Sequence, residues 1–126
     1  MFSAFRTFGA LGSQRGVFDV VSLFRAGEQG VWYDPSDMST LFQDRAGTVP
    51  VTAVEQPVGL ILDKSGRGNH ASQATTTKRP VLKIDAGGCY YLSFDGVDDA
   101  LQTGNIDFTS TDKMTVWAGV TKLSDD

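Results

Sequence analysis

The sequence predicts a mainly-β protein with antiparallel strands and one short helix near its N-terminus. Its 126 residues are a usual length for a single domain. Its 14 glycines are spread between β-branched and aromatic residues, which is typical of many short strands joined by turns. Residues 114–121 alternate with a period of two, the period of a strand with one face in the core. Apolar residues with helical spacing occur within residues 17–24.

The N-terminal segment, residues 1–16, is rich in glycine and serine and carries three evenly spaced phenylalanines, Phe2, Phe5 and Phe8. Exposed phenyl rings are unfavourable in water. We therefore expect these rings to pack against the domain, a second subunit or another protein.

A short helix is predicted over residues 16–26, ending near Gly27. Its single apolar face is formed by Val17, Val20, Val21 and Phe24. A helix this short is unstable alone, so it must dock on something. It docks either on its own domain or on a partner, in which case residues 1–27 form an attachment or oligomerisation arm. The sequence leaves both alternatives open.

Residues 28–126 form the predicted β domain. Extended segments are predicted at 31–33, 49–54, 58–62, 81–84, 89–94, 99–103 and 114–121. A helical turn capped by Ser36 is expected over 36–42, and a tight polar loop over 63–70. Asp95-Gly96 indicates the turn of a hairpin. Trp117 lies on the second face of the last strand, which predicts that this strand is central and covered on both sides.

Composition excludes several classes of function. The net charge of −4 argues against general affinity for nucleic acid. No apolar stretch approaches the roughly 20 residues that span a bilayer, so we expect no membrane span. Cys89 is the single cysteine, so no internal disulfide forms, and we expect it to be a small buried hydrophobic residue.

Two motifs occur in order along the chain: D-x-S-G-x-G-N-H-A over residues 63–71 and F-D-G-x-D-D over 94–99. With residues 106–108 and 114–118, they make the chain resemble the first half of a concanavalin-A-like or laminin-G-like jelly roll. Residues 23–60 resemble the segment that precedes such domains in structural proteins of tailed-bacteriophage virions, including tail-fibre proteins.

The resemblance implies an antiparallel jelly-roll-like sandwich that this chain carries only in part. A jelly roll has about eight strands in two sheets, and a central strand needs a neighbour on each side. Residues 28–126 are therefore expected to be an incomplete domain. Three explanations stay open: a fragment of a longer protein, a minimal sandwich, or an intertwined oligomer in which neighbouring chains supply the missing strands.

The resemblance also implies a function. We expect a non-enzymatic virion structural protein, part of a tail, fibre or capsid appendage, that assembles with copies of itself and with other virion proteins. The alternative is a glycan- or receptor-binding lectin-like module for host attachment. Such a module needs an exposed aromatic ring beside polar groups. The candidates are Trp32, Tyr90 and Tyr91, and adjacent Tyr90 and Tyr91 must point to opposite faces of a strand.

Catalysis is not expected, although a glycan hydrolase fragment is a distant third reading. Glycoside hydrolysis needs two carboxylates that face one cleft. The two glutamates, Glu28 and Glu55, are far apart in the sequence, and Asp98 and Asp99 would point to opposite faces of a strand. The single histidine, His70, lies in a turn and is expected to be a hydrogen-bonding loop residue. No catalytic residue is therefore assigned.

No cofactor is expected, with calcium as the alternative. Laminin-G-like domains often bind Ca²⁺ through loop oxygens, and Asp95, Asp98 and Asp99 are the main candidates, beside Asp63 and Asp107. A hairpin turn explains the Asp-Gly pair without any metal. One histidine and one cysteine do not suffice for zinc.

Overall fold

The structure, a computed structural model, describes residues 18–111 and 113–122. Its strands are β1 Leu41–Phe42, β2 Leu60–Ile61, β3 Ala71–Ser72, β4 Val81–Ile84, β5 Tyr90–Ser93 and β6 Gln102–Thr103. Its helices are short 3-10 helices, Val20–Phe24, Met38–Thr40 and Thr76–Lys78, and none is long and apolar enough to cross a membrane. Every strand pairing in the described ranges is antiparallel. The prediction of a mainly-β, antiparallel protein is confirmed.

The larger sheet has the strand order β1-β2-β3-β6 and covers the hydrophobic core. The buried core residues are Leu41, Val51, Val58, Ile61, Ala71 and Leu82. Their side chains come from three strands of this sheet, from β4 and from the segments beside β1 and β2. The core is therefore small and is enclosed as much by loops as by strands.

The smaller sheet pairs β4 with β5, and both strands agree with the predicted segments 81–84 and 89–94. They are joined by a turn in which the Asp85 carboxylate accepts hydrogen bonds from Gly87 N at 2.8 Å and Cys89 N at 2.9 Å. The hairpin predicted at Asp95-Gly96 is wrong. After β5 the chain crosses to the larger sheet, where β6 pairs with β3.

The helix predicted over 16–26 is described only as the 3-10 helix Val20–Phe24. It begins at Asp19, because this carboxylate accepts a hydrogen bond from Val21 N at 3.0 Å. A 3-10 helix has three residues per turn, so residues that would share one face of an α-helix point in different directions. Val20 is therefore buried while Val21 is exposed.

Two other predicted elements differ from the structure. The turn predicted over 36–42 is the 3-10 helix Met38–Thr40, and its cap is Asp37 rather than Ser36, through a 3.3 Å bond from Ser39 N. The predicted strands 31–33 and 49–54 are not formed. Within 49–54 there is one isolated bridge, at a proline that has no N–H to donate to a ladder.

The strand predicted over residues 114–121 is also not formed, since the chain there has neither helix nor strand. Trp117, predicted to be covered, is 66% exposed. The sequence period shows which residues would share a face in a strand, whereas formation of the strand also needs a partner edge. The prediction of a central strand over residues 114–121 is therefore wrong.

Gly59 lies directly against the backbone at the end of β1. Its N–H donates to Phe42 O at 2.8 Å, and its carbonyl accepts from Gln73 N at 2.8 Å. A Cβ at this position would lie 2.6 Å from Gln43 O and 2.9 Å from Arg79 Nε. Only glycine therefore fits between these backbone segments.

Gly59→Ala is expected to lower the free energy of unfolding by about 2 kcal/mol, because the methyl group would push β1 away from its neighbour. Gly104→Ala is the matched control, since no atom lies within 4 Å of its added Cβ. Urea unfolding measures both variants. Equal stabilities for the two would contradict the close approach at Gly59.

Candidate functional site

The loop of residues 63–70 is held by a network of hydrogen bonds that one carboxylate organises. Asp63 is 8% exposed. Its Oδ1 accepts from Trp32 N at 2.8 Å and Ser65 N at 2.9 Å, and its Oδ2 accepts from Ser65 Oγ at 2.6 Å and Asn69 N at 3.0 Å. Asp63, a calcium candidate from sequence, is therefore committed to holding its own loop.

The electrostatics of Asp63 agree with that role. Burial by itself would raise the pKa of its carboxyl group. The hydrogen bonds from Ser65, Trp32 and Asn69 outweigh burial and hold that pKa below its usual range. The folded state therefore favours the charged form.

The two glycines of this loop have a left-handed backbone conformation. Gly66 and Gly68 have φ of +84° and +74°, values at which a side chain is strained. They let the chain turn tightly around the Asp63 carboxylate. The D-x-S-G-x-G-N-H motif is thus a turn built by hydrogen bonds.

His70 closes the loop as a hydrogen-bonding residue, as the sequence predicts. Its Nδ1 accepts from Asp63 N at 2.9 Å, so the neutral ring carries its proton on Nε2. The imidazole is exposed and lines a groove of about 310 Å³ with Arg45, Ser72, Gln73, Ala74, Gln102, Thr103 and Gly104.

This groove offers hydrogen-bond donors and acceptors but no aromatic wall. The sequence did not predict this groove, because its residues come from three separate segments of the chain. No local spacing links Arg45 to Gln73 or Gln102.

Trp32, the first glycan candidate, has one ring face covered. The Lys64 ammonium lies 4.6 Å from the ring centroid and forms ion pairs with Asp34 at 3.0 Å and Asp37 at 2.9 Å. Partial burial lowers the pKa of Lys64. The hydrogen bonds and charges of Asp37 and Asp34 raise this pKa by more than burial lowers it, so the pKa lies above its ordinary value. The ring face under Lys64 is therefore unavailable for stacking on a sugar.

Tyr90 and Tyr91, the other glycan candidates, point to opposite faces of β5, as expected for adjacent strand residues. Tyr90 packs against the core. Tyr91 pairs across the hairpin with Lys83 and is half-buried. The structure does not bring either tyrosine into the groove beside His70.

The calcium candidates Asp95, Asp98 and Asp99 do converge. Their carboxylate oxygens lie within 4.8 Å of one another. The expectation that Asp98 and Asp99 face opposite ways is wrong, because they lie in a loop and not in a strand.

The loop's own backbone already uses this cluster. Asp95 Oδ1 accepts from the N–H groups of Val97, Asp98 and Asp99 at 2.9–3.2 Å. The Val97 and Asp99 N–H groups hold the pKa of Asp95 below its usual range. Asp107, the remaining calcium candidate, caps Thr109 N at 2.8 Å.

Of the apolar residues predicted to contact the domain or a partner, Val20, Val21 and Phe24 lie in the first 3-10 helix. The others, Phe2, Phe5, Phe8 and Val17, fall outside the described residues. The Phe24 carbonyl accepts a hydrogen bond from Arg67, and its ring packs over Gly30. Val20 is buried. The helix thus contacts its own domain through Phe24.

The glutamates are held in separate local contacts. Glu28 Oε2 accepts from Ala26 N at 2.8 Å, and Glu55 lies 3.4 Å from the Lys83 ammonium. Neither contact places a second carboxylate opposite a glutamate.

Comparison of the chain with protein-family models, curated proteins and solved structures found no match.

Asp63→Asn is expected to lower the free energy of unfolding by about 3 kcal/mol near neutral pH, because the amide turns N–H groups toward buried donors. The pKa of Asp63 is lower in the folded than in the unfolded state. Its contribution is therefore complete above about pH 4 and is lost as the pH falls through the folded value. Urea unfolding at pH 7 and pH 3 should show the difference from wild type shrinking in acid.

The control for this variant is Asp107→Asn, which removes an exposed carboxylate that caps one N–H. It should change stability little at either pH. Asp63→Asn with wild-type stability at pH 7 would rule out the anchoring role.

Proposed function

We propose that this chain is a non-enzymatic structural protein that works by assembly, as a component of a tail, fibre or capsid appendage of a bacteriophage virion. One observation carries the assembly part: the apolar side chains of residues 113–122 lie on the surface. Met114 and Val116 are each 71% exposed, and Val120 is 86% exposed. Several exposed apolar side chains within one short segment favour an interaction site.

Simple energetics support a role in association. Burying one valine or methionine side chain contributes about 1.5–3 kcal/mol. Three such residues together contribute about 4.5–9 kcal/mol, which exceeds the lower end of the cost of joining two molecules, about 4 kcal/mol. The exposed Phe18 and Leu23 near the N-terminus add further apolar surface. In a symmetric particle the same contact occurs many times, so small free energies of association add up.

The virion part of the proposal rests on the resemblance carried by residues 63–71 and 94–99. In both segments an aspartate, Asp63 or Asp95, organises a turn through backbone N–H groups. Both motifs therefore stabilise the fold, which is consistent with a protein whose fold serves assembly. The finer architecture we propose is the jelly-roll-like sandwich, with the two small sheets as part of its two layers.

The assembly function predicts an oligomer in solution. Size-exclusion chromatography with light scattering over a hundredfold concentration range should give a mass above 13.5 kDa that falls on dilution. The double variant Val116→Asn, Val120→Asn should weaken association at least tenfold, because it removes exposed apolar area from residues 113–122. Val97→Asn is the matched control, since Val97 and Val120 are both 86% exposed.

A wild-type monomer at every concentration would overturn the assembly function. Equal weakening by Val97→Asn would show that the effect is general and not a property of residues 113–122.

A second candidate function is recognition of a host surface glycan, favoured by the polar groove beside His70. Its serine, threonine, glutamine, arginine and histidine side chains offer the hydrogen bonds that sugar hydroxyls need.

On an array of host surface glycans, this second function predicts binding that Gln102→Ala weakens at least tenfold, because Gln102 lines the groove. Tyr91→Ala is the matched comparison on β5. Loss with Tyr91→Ala alone would move the site away from the groove, and a blank array would eliminate the glycan function.

A further inference from the structure

The groove beside His70 lies on the outer face of the pairing between β3 and β6. Ser72 of β3 stands directly opposite Gln102 of β6. His70 comes two residues before Ser72, so the two side chains share this face, while Ala71 between them is buried in the core. Two neighbouring strands therefore hold these polar side chains in fixed positions along the groove.

Four side chains of the groove have a hydrogen-bond donor left for a ligand. The Nδ1 atom of His70 already accepts from Asp63 N, which leaves Nε2–H as the donor of the neutral ring. The side chains of Arg45, Ser72 and Gln102 form no hydrogen bond with another residue in the part of the chain that the structure describes. A groove with convergent donors of this kind is suited to a polar ligand.

The groove is positively charged although the whole chain has a net charge of −4. None of its lining residues is acidic. Within residues 18–111 and 113–122, the Arg45 guanidinium forms no ion pair. The neighbouring Asp44 carboxylate instead accepts from the N–H groups of Thr48 and Val49, each at 2.9 Å. The charge of Arg45 is therefore available to an anion.

A second positive charge lies behind the wall of the groove. Arg79 donates to the carbonyl groups of Gln43, Gln73 and Ala74 at 2.9–3.1 Å. Two of these acceptors, Gln73 and Ala74, line the groove. Arg79 likewise forms no ion pair with a described residue. Because carbonyl groups carry no net charge, this half-buried guanidinium adds to the positive potential at the groove.

These features fit an acidic saccharide better than a neutral one. A neutral sugar gains much of its binding from an aromatic ring, and no aromatic residue lines the groove. An arginine guanidinium binds a carboxylate through two parallel hydrogen bonds. The volume of about 310 Å³ lies at the lower end of the range for small-molecule sites, about 300–1,000 Å³. The site therefore suits a small ligand that combines hydroxyl groups with one carboxylate.

We infer that this groove binds an acidic saccharide, with the sugar carboxylate on the guanidinium of Arg45 and the sugar hydroxyl groups on His70, Ser72 and Gln102. The inference rests on the second proposed function, glycan recognition, and names the class of its ligand. Arg45 selects for the acid, because a hydrogen bond between ionised groups is roughly twice as strong as one between neutral groups.

Gly104 allows a direct test of the charge. It lines the groove, and the register of β3 and β6, continued by one residue, places it opposite His70. No atom lies within 4 Å of a Cβ added at Gly104, so a side chain has room there. Gly104→Asp adds a negative charge to the groove, and Gly104→Asn adds a side chain of the same shape without the charge.

The experiment titrates the ¹⁵N-labelled full chain with sugars and follows the backbone amide signals by NMR. Glucuronate is compared with glucose, and galacturonate with galactose, because each pair differs only in a carboxylate that replaces a hydroxymethyl group. Acetate supplies a carboxylate without a sugar. At least one uronate should shift the amide signals of Ser72 and Gln102 and bind at least tenfold more tightly than its neutral partner and than acetate.

The variants test the assigned contact with that uronate. Arg45→Gln and Gly104→Asp should each weaken its binding at least tenfold, whereas Gly104→Asn should weaken it less than about threefold. Arg25→Gln is the matched control for net charge, since Arg25 is an exposed arginine that does not line the groove. It should leave the binding unchanged.

The other outcomes overturn the inference in distinguishable ways. Equal binding of uronates and neutral sugars would overturn selection for the acid and keep the glycan function. Acetate that binds as tightly as the uronates would show a site for the anion alone. Equal weakening by Arg25→Gln and Arg45→Gln would show a general effect of charge and not a contact in the groove. Absence of binding by every probe would overturn the inference, and the glycan function would fall with it only if the array of host glycans is also blank.

Discussion

The described fold depends first on the carboxylate of Asp63. β2 ends just before this residue, and β3 begins just after the loop that it holds. The four hydrogen bonds to the carboxylate fix the length and direction of that connection, and with it the pairing of Leu60 with Ser72. Burying a charge is unfavourable unless hydrogen bonds replace water, and here they do so completely enough to keep the group ionised.

The same loop also attaches a segment that forms no strand. Trp32 N bonds to the Asp63 carboxylate, and Asn69 Nδ2 donates to Gly30 O at 2.8 Å. Tyr33 donates through its hydroxyl group to the Asn69 carbonyl. One hairpin loop therefore takes the place of a sheet ladder in holding residues 30–33 against the core.

Aspartates at turns recur throughout the described chain and account for much of its acidic character. Carboxylates accept backbone N–H groups within a few residues at Asp19, Asp34, Asp37, Asp44, Asp85, Asp95 and Asp107. Strands of two to four residues supply few ladder bonds, so the turns need bonds of their own. The cluster of Asp95, Asp98 and Asp99 is an instance of this turn chemistry.

The small core connects the fold to the proposed function. Much large apolar surface stays exposed, most of all in residues 114–120.

The sequence by itself determined the local features. The strands 81–84 and 89–94, the positive φ of Gly66 and Gly68 and the loop role of His70 depend on neighbours within a few residues. Tertiary structure decided the rest: that β6 pairs with β3, that Asp98 and Asp99 converge, and that residues 114–121 stay outside the sheets. These outcomes depend on partners distant in sequence, because a strand's period states which residues share a face but not which edge will receive them.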